Sequence, residues 1–171
     1  MSMDAIEAIL TRRSIRKYTG KPVSDSDIKT LMECAMAAPS ADNQQPWHYV
    51  VVDDREVLNG IAGAHPHAQM CKDAALAVVV CGDAGITKFP DYWPQDCAAA
   101  TQNILVAARA LGLGTCWCGV YPSQKHVPAL RELLGIPEQV TPFSLIAVGH
   151  PAEQKPPGNR YDAARVHMNR W

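Results

Sequence analysis

The apolar positions of this chain follow two periods, one typical of helices and the other of buried strands. Apolar residues three or four positions apart predict five helices, over residues 4–11, 24–38, 55–63, 91–111 and 123–134. Short runs of apolar, β-branched and aromatic residues predict four strands, over residues 47–52, 76–81, 115–120 and 143–148. Because helices and strands interleave, we expect an α+β or three-layer fold around one sheet.

Two of these segments predict how the layers pack. Leu76–Cys81 is apolar throughout, as in a strand that is covered on both faces. Cys97–Leu111 is apolar on nearly every side, which predicts a helix at the centre of the fold. We find no internal repeat and no linker, so residues 1–171 are expected to form a single domain.

The tail, residues 151–171, is rich in proline and has no core of its own. It ends in apolar side chains that need a surface to cover: Tyr161, Val166, Met168 and Trp171. We therefore expect the tail to pack on a partner subunit, and a second copy of this chain is the natural candidate.

Composition and charge exclude several classes of function. The chain has 171 residues, 47% of them hydrophobic and 19% charged, with a net charge of -1. Such a balance creates no field that would recruit nucleic acid or an anionic membrane. The apolar runs are too short to span a bilayer, and the first residues do not have the pattern of a signal peptide. The six cysteines include no Cys-x-x-Cys pair, so we expect neither a zinc site nor a disulfide framework. We therefore expect a cytoplasmic protein, because the cytoplasm keeps thiols reduced.

Two smaller groups of reactive side chains have simple interpretations. His65 and His67 could ligate a metal, but no third ligand completes the set, and a polar loop is favoured. Cys116 and Cys118 would point to the same face of a strand. Inert thiols are favoured over redox thiols there, because nothing adjacent in the sequence would lower their pKa.

Three arginines and a serine lie within the five residues Arg12–Arg16, which we call the basic segment. Arginine binds phosphate through paired N–H donors in a fixed fork, and the Ser14 hydroxyl adds another donor. The alternative interpretation is a solvated basic turn after a helix, where arginines complement the negative end of the helix dipole. The cluster alone leaves both interpretations open.

A second polar segment, residues 39–46, lies between two prolines, and we call it the amide loop. Its four hydrogen-bonding side chains are Ser40, Asn43, Gln44 and Gln45. Asn and Gln carry both donors and acceptors, which matches the alternating nitrogen and oxygen edge of a flavin ring. An ordinary helix-to-strand connection is the alternative, since such residues are common in loops.

The order and spacing of these segments resemble the nitroreductase family of oxidoreductases, which use flavin mononucleotide (FMN). The matching stretches are residues 12–18 (RRSIRKY), 38–47 (APSADNQQPW), 107–118 and 155–160 (KPPGNR), and the resemblance covers essentially the whole chain. It implies a nitroreductase-like three-layer α/β/α sandwich with a central mixed, mainly antiparallel sheet. It also implies a homodimer with FMN bound at the subunit interface.

The resemblance assigns the FMN phosphate to four residues by position. Arg12 and Ser14 hold it with Arg13 alongside, and Arg160 reaches the same phosphate from the tail. Arg16 lies beside the flavin N1 and O2 edge, where a fixed cation stabilises the negative charge that reduction leaves.

The remaining flavin contacts come from three other places in the sequence. Pro39, Ser40, Ala41 and Asn43 match the loop that in this family reaches the flavin from the second subunit. Trp117, Cys118 and Gly119 match the segment near the flavin N5, and Gln69 matches a contact at the ring edge. Asp42 departs from the family pattern, in which a small residue is common, and it adds a negative charge near the ring.

The activity that the resemblance implies takes hydride from NADH or NADPH and reduces a small acceptor, such as a nitroaromatic or a quinone, by a ping-pong mechanism. The chemistry is that of the flavin, so no catalytic side chain is expected. The alternatives are an FMN storage or sensing protein, a specialised flavin dehalogenase or dehydrogenase, and a phosphate-binding module without flavin. Trp93, which precedes Pro94, is a further candidate as part of a lid over the site.

Overall fold

The computed structural model of the chain describes residues 3–171, so residues 1 and 2 of the predicted domain lie outside it. The helices are α1 (Ala5–Thr11), α2 (Asp25–Met36), α3 (Arg55–Ala64), α4 (Trp93–Ala110) and α5 (His126–Leu134). The strands are β1 (Trp47–Val52), β2 (Leu76–Asp83), β3 (Gly114–Gly119) and β4 (Val140–Gly149). Every predicted helix and strand is present, and their ends differ from the predictions by up to about three residues.

The four strands form one sheet in the order β1-β2-β4-β3, and each neighbouring pair is antiparallel. Trp47 at the start of β1 is paired with Gly82, and Gly119 at the end of β3 is paired with Ser144. The start of β1 and the end of β3 therefore lie at the same end of the sheet but on opposite edges. Three strand spacings place these edges about 14 Å apart.

Helices cover both faces of the sheet. Val79 and Leu145 face a cluster that includes the buried side of α3 and α5. Val78 and Ile146, one position away on the same strands, face α2 and α4. Successive strand residues point to opposite faces, and residues 76–81 of β2 are apolar throughout because both faces of the strand are buried. The α+β, three-layer sandwich is confirmed, and its sheet is antiparallel apart from one parallel bridge at the edge of β3.

Helix α4 is the central helix that its composition predicts. It packs on α1, on α2 and on all four strands of the sheet. Cys97, Ala100, Ile104 and Ala108 are completely buried on the side that faces the sheet. A hydrogen bond of 2.8 Å between the hydroxyls of Thr101 and Ser144 satisfies two polar groups in this apolar layer.

Trp93 is a core residue, so the lid hypothesis is wrong. Its side chain is 8% exposed and packs against Gly82, where a Cβ atom would overlap the indole ring. The Tyr121 ring lies 4.8 Å from it between centroids, edge to face. The absence of a side chain at Gly82, which is distant in sequence, makes room for the indole.

Exposed apolar side chains concentrate on α1 and the tail. Ile6 and Leu10 of α1 are 68% and 64% exposed, and Tyr161 and Trp171 of the tail are even more so. Within one chain the apolar side of α1 therefore faces outward rather than into the core. None of the helices within residues 3–171 is both long enough and apolar enough to cross a membrane.

Candidate active site

The basic segment runs along the free edge of β3. The Ile15 N–H donates to the Thr115 carbonyl oxygen at 2.9 Å, and Ser14 forms the parallel bridge with Thr115. Gly114 permits this approach, because a Cβ atom there would lie 2.8 Å from Cγ2 of Ile15. The Tyr18 hydroxyl donates to the Ile15 carbonyl oxygen at 2.8 Å. Backbone contacts therefore fix the segment and leave its charged side chains available.

Arg12, Arg13 and Arg160 come together in what we call the arginine cluster, and they line a cavity of about 420 Å³. Gly158 gives the Arg13 guanidinium room, because a Cβ atom there would overlap it. Burial, and then the charges of Arg160 and Arg13, lower the pKa of Arg12. In the described part of the chain, no carboxylate lies within 4 Å of any of the three guanidinium groups. Such crowded, unpaired cations favour a bound anion.

The beginning of the tail folds back over the basic segment. The Lys155 ammonium donates to the Ser14 carbonyl oxygen at 2.7 Å, and the Glu153 carboxylate accepts from the Arg16 N–H at 2.6 Å. The bond from the Arg16 N–H, and then the nearby Lys155 ammonium, hold the pKa of Glu153 below its usual value. Sequence reasoning missed Glu153, whose only signal is an acidic residue beside basic and proline-rich sequence.

A cavity of about 670 Å³, which we call the large cavity, lies at the end of β3. It is lined by five of the residues predicted from the resemblance: Arg16, Gln69, Trp117, Cys118 and Gly119. Gln69 is held by a hydrogen bond of 2.6 Å from its amide nitrogen to the Ala62 carbonyl oxygen. The structure thus brings together residues from the basic segment, from the turn after α3 and from β3.

Three histidines, His65, His67 and His126, line the same cavity, and none of them is among the flavin contacts predicted from the resemblance. The His67 N–H donates to Nδ1 of His65 at 3.2 Å, so Nε2 of His65 carries the proton and donates to the Gly119 carbonyl oxygen at 2.9 Å. His126 packs on His65 with 4.1 Å between ring centroids, and burial and the neighbouring His65 lower the pKa of His126. His65 therefore ties the turn after α3 to the end of β3.

Cys116 and Cys118 also line the large cavity, and both thiols are buried. A hydrogen bond from Cys118, and then the charge of Arg16, lower the pKa of Cys116. The same hydrogen bond, together with burial, raises the pKa of Cys118. The single Cys118 proton has a second acceptor, the His67 carbonyl oxygen, at 3.1 Å. The cations that favour the Cys116 thiolate come from other parts of the chain, so the sequence around it did not reveal them.

The amide loop lies at the opposite edge of the sheet, ahead of β1, and does not line the large cavity within one chain. Three of its residues have a positive φ although none is glycine: Asp42, Asn43 and Gln45. A single chain therefore does not bring the predicted ring contacts Pro39, Ser40, Ala41 and Asn43 to the large cavity. Their role stays a prediction that depends on a second copy.

The site as a whole fits an elongated ligand with unlike ends. The basic segment and β3 run in parallel, with the arginine cluster near their start and the large cavity at the end of β3. The four steps from Thr115 to Gly119 span about 13 Å. A ligand with an anionic group at one end and a flat, hydrogen-bonding ring at the other matches both the charge and the spacing.

A family model matches most of the chain. It is described as the nitroreductase family, and its matches cover residues 9–80 and 65–150. A protein of Archaeoglobus fulgidus that carries the provisional name NADH dehydrogenase/NAD(P)H nitroreductase is 47% identical, over 98% of this chain and 99% of its own length.

Two solved structures extend the similarity to the fold and to named activities. An FMN-dependent nitroreductase from Clostridium difficile superposes with a TM-score of 0.91 at 30% identity, over 97% of this chain and 99% of that one. The NADPH:FMN oxidoreductase of Vibrio harveyi, solved with NAD+, superposes with a TM-score of 0.86 at 30% identity, over 98% of this chain and 77% of that one.

Proposed function

This chain belongs to the nitroreductase family and is an FMN-dependent NAD(P)H oxidoreductase, and from that premise we propose that it reduces a small acceptor by a ping-pong mechanism. A nitroaromatic or a quinone is the class of acceptor we propose. The observation that carries the proposal is the arrangement of an unpaired arginine cluster and a ring-sized cavity along one strand.

The residues present fit FMN at both of its ends. Arg12, Arg13 and Arg160, together with Ser14, would hold the phosphate, since charge-assisted N–H donors are the strongest partners for it. The room that Gly158 leaves for the Arg13 guanidinium supports this assignment. At the other end, the wall formed by Gln69, Arg16 and residues 117–119 would receive the ring.

When bound, FMN supplies the redox chemistry, accepting a hydride from NADH or NADPH and passing two electrons to the acceptor. The chain supplies a fixed positive charge from Arg16, whose N–H is anchored on Glu153. A preorganised cation stabilises negative charge without rearranging during the reaction. His65 holds the Gly119 carbonyl in place, so the cavity wall keeps its shape. In this proposal no side chain acts as a nucleophile or as an obligatory base.

We also propose that two copies of the chain form each site. The amide loop lies about 14 Å across the sheet from β3, so it does not reach the large cavity of its own chain. The second copy would cover the exposed apolar side chains of α1 and of the tail, residues 151–171, which are expected to pack on a partner subunit. The parts of the tail that bind the basic segment would then connect the site to the dimer interface.

The first test is an absorbance spectrum of the purified protein, before and after anaerobic addition of NADH or NADPH. Flavin bands that bleach with the reductant and return when a quinone is added support the proposal. Release of the pigment on denaturation identifies it as FMN by chromatography. A protein that stays colourless after incubation with FMN would overturn the assignment, and a flavin that reductant does not bleach would favour storage or sensing.

Mixing two variants tests whether the site is shared. Arg16→Ala damages the cavity wall, and Asn43→Ala damages the amide loop. If each site uses both copies, refolding the two inactive variants together creates mixed dimers with one intact site, and about half of the dimers recover one. If activity does not return although mixed dimers form, the sites are not shared between subunits.

A further inference from the structure

The amide loop has a strained backbone that something in the fold must hold. Asp42, Asn43 and Gln45 have φ values of 52°, 53° and 51°. Residues other than glycine rarely adopt this left-handed region, and several within four positions persist only where surrounding contacts fix them. The loop therefore depends on its supports for its shape.

Three groups of contacts support the loop. The Ser40 hydroxyl oxygen accepts from the Gln45 N–H at 2.9 Å and closes the loop on itself. The Gln44 side-chain oxygen accepts from Thr87 and from the Lys88 N–H, in the segment that precedes α4. The third support comes from Asp96 in the first turn of α4, whose Oδ1 accepts from the Ala41 N–H at 3.1 Å.

Asp96 differs from the other supports because it is a carboxylate inside the protein. Its side chain is 6% exposed, and Oδ2 has no hydrogen-bond partner among residues 3–171. An unsatisfied oxygen in a buried charged group is costly to the folded state. Cys97 and Trp93 beside it are apolar core residues, so an apolar side chain would be the ordinary occupant of this position.

We propose that Asp96 is a positioning residue whose carboxylate sets the amide loop in the shape that contacts FMN. The proposal rests on the proposed function, in which the loop of one copy reaches the FMN of the other. Asp96 stands on α4, the central helix, so the loop takes its position from the most buried helix of the fold. The effect of Asp96 passes through the Ala41 N–H, and its own atoms are not assigned to the ligand.

The test compares Asp96→Ala with Asp96→Asn, because an asparagine keeps an oxygen at the position that accepts from Ala41. We expect Asp96→Ala to raise the dissociation constant of FMN about tenfold or more, and Asp96→Asn to stay within about twofold of the wild type. The thermal midpoint of the FMN-free protein should not fall in Asp96→Ala, because the variant also removes an unsatisfied buried charge. Asp91→Ala, an exposed aspartate just ahead of α4, is the matched control.

A second readout needs no FMN. Hydrogen exchange of the Ala41 amide should become faster in Asp96→Ala and stay slow in Asp96→Asn, since only the former loses the acceptor. If Asp96→Ala does not fold, Asp96→Ser replaces it, because a serine is too short to reach Ala41. Wild-type affinity and unchanged Ala41 exchange in Asp96→Ala or Asp96→Ser would overturn the role of Asp96. A wild-type protein that binds no FMN would instead overturn the proposed function, and the exchange measurement would still report whether Asp96 holds the loop.

Discussion

The basic segment and the amide loop are both polar segments beside an edge strand, but the fold holds them in different ways. The basic segment is attached to β3 through backbone bonds, a glycine contact and the folded-back tail, and its guanidinium groups form no salt bridge with any carboxylate of residues 3–171. The amide loop is held mainly through side-chain acceptors, and its backbone is strained. The basic segment lies beside the large cavity of its own chain, whereas the amide loop lies at the opposite edge of the sheet and does not line that cavity.

The difference separates binding strength from binding geometry. Unpaired arginines attract an anion through their charge, and this attraction changes little when a guanidinium group moves by a small distance. Their contribution to binding affinity therefore tolerates small displacements. A loop that presents amide groups to a ring depends on direction, because hydrogen bonds weaken steeply when they are misaligned. Charge changes at the arginine cluster should therefore alter affinity most, and changes in the contacts of the amide loop should alter it through shape.

The largest effect is expected from Arg12→Ala. Loss of charge-assisted hydrogen bonds to the phosphate should cost about 2 kcal/mol, roughly thirtyfold in the dissociation constant of FMN. Quenching of flavin fluorescence on titration measures this constant. Lys29→Ala removes one positive charge from the exposed face of α2 and should leave it unchanged. An Arg12→Ala protein with wild-type affinity would show that the arginine cluster does not hold the phosphate.

Gly114→Ala should break the attachment of the basic segment to β3. The new Cβ would lie 2.8 Å and 2.9 Å from two atoms near the base of the Ile15 side chain, which cannot swing away easily. We expect a loss of about 1.5 kcal/mol in the free energy of unfolding, from urea denaturation. Gly63→Ala in α3 meets no atom within 4 Å and should raise stability by about 0.5 kcal/mol. Equal stability of the two variants would contradict the close approach of the segment.

The hold of the tail on the basic segment should weaken in acid. The folded-state pKa of Glu153 is lowered, so its contribution to stability is present above the unfolded pKa and is lost as the pH falls through the folded pKa. The difference in unfolding free energy between the wild type and Glu153→Gln should therefore shrink from pH 6 toward pH 3. Thermal melts across this range measure the difference. If the difference in unfolding free energy between the wild type and Glu153→Gln stays constant with pH, the Glu153 carboxylate contributes no charge-dependent bond.

The smallest effect is expected at Asp42, the residue that departs from the family pattern. Its carboxylate lies 3.7 Å from the Lys88 ammonium, and both side chains are more than half exposed. Exposed pairs of this kind contribute under about 1 kcal/mol, and asparagine tolerates the left-handed backbone at this position. Asp42→Asn should leave the thermal midpoint nearly unchanged and shift the relative rates with anionic and neutral acceptors. A large fall in the midpoint would mean that the ion pair supports the loop.

Features that depend on local pattern could be predicted from the sequence. Strand β1 was predicted with its observed ends, and Ser24, the first residue of the helix predicted over 24–38, caps α2 by accepting from the Asp27 N–H at 3.1 Å. Ser123, the first residue of the helix predicted over 123–134, accepts from the His126 N–H at 3.2 Å, but α5 begins three residues after it. Periodicity identifies an element, while its first residue depends on how the chain enters it.

Features that depend on distant partners could not be predicted in this way. Glu153 and Asp96 are single acidic residues without a motif, and only the folded chain places them on the Arg16 and Ala41 N–H groups. Trp93 looked like a lid because of its neighbours in sequence, whereas contact with Gly82 on strand β2 decides its place in the core. The candidate site residues were identified through resemblance, and their grouping around two cavities needed the three-dimensional arrangement.

The meeting of Arg12 with Arg160 also has a consequence for the order of events during synthesis. The ribosome produces Arg12 well before Arg160, and domains generally begin to fold from their N-terminal side as they emerge. A growing chain can form α1 and the early strands long before both of the arginines that we propose for the phosphate are present. Cofactor capture should therefore follow the synthesis of residue 160, and a chain cut short before that residue should retain much of the sheet while holding FMN weakly.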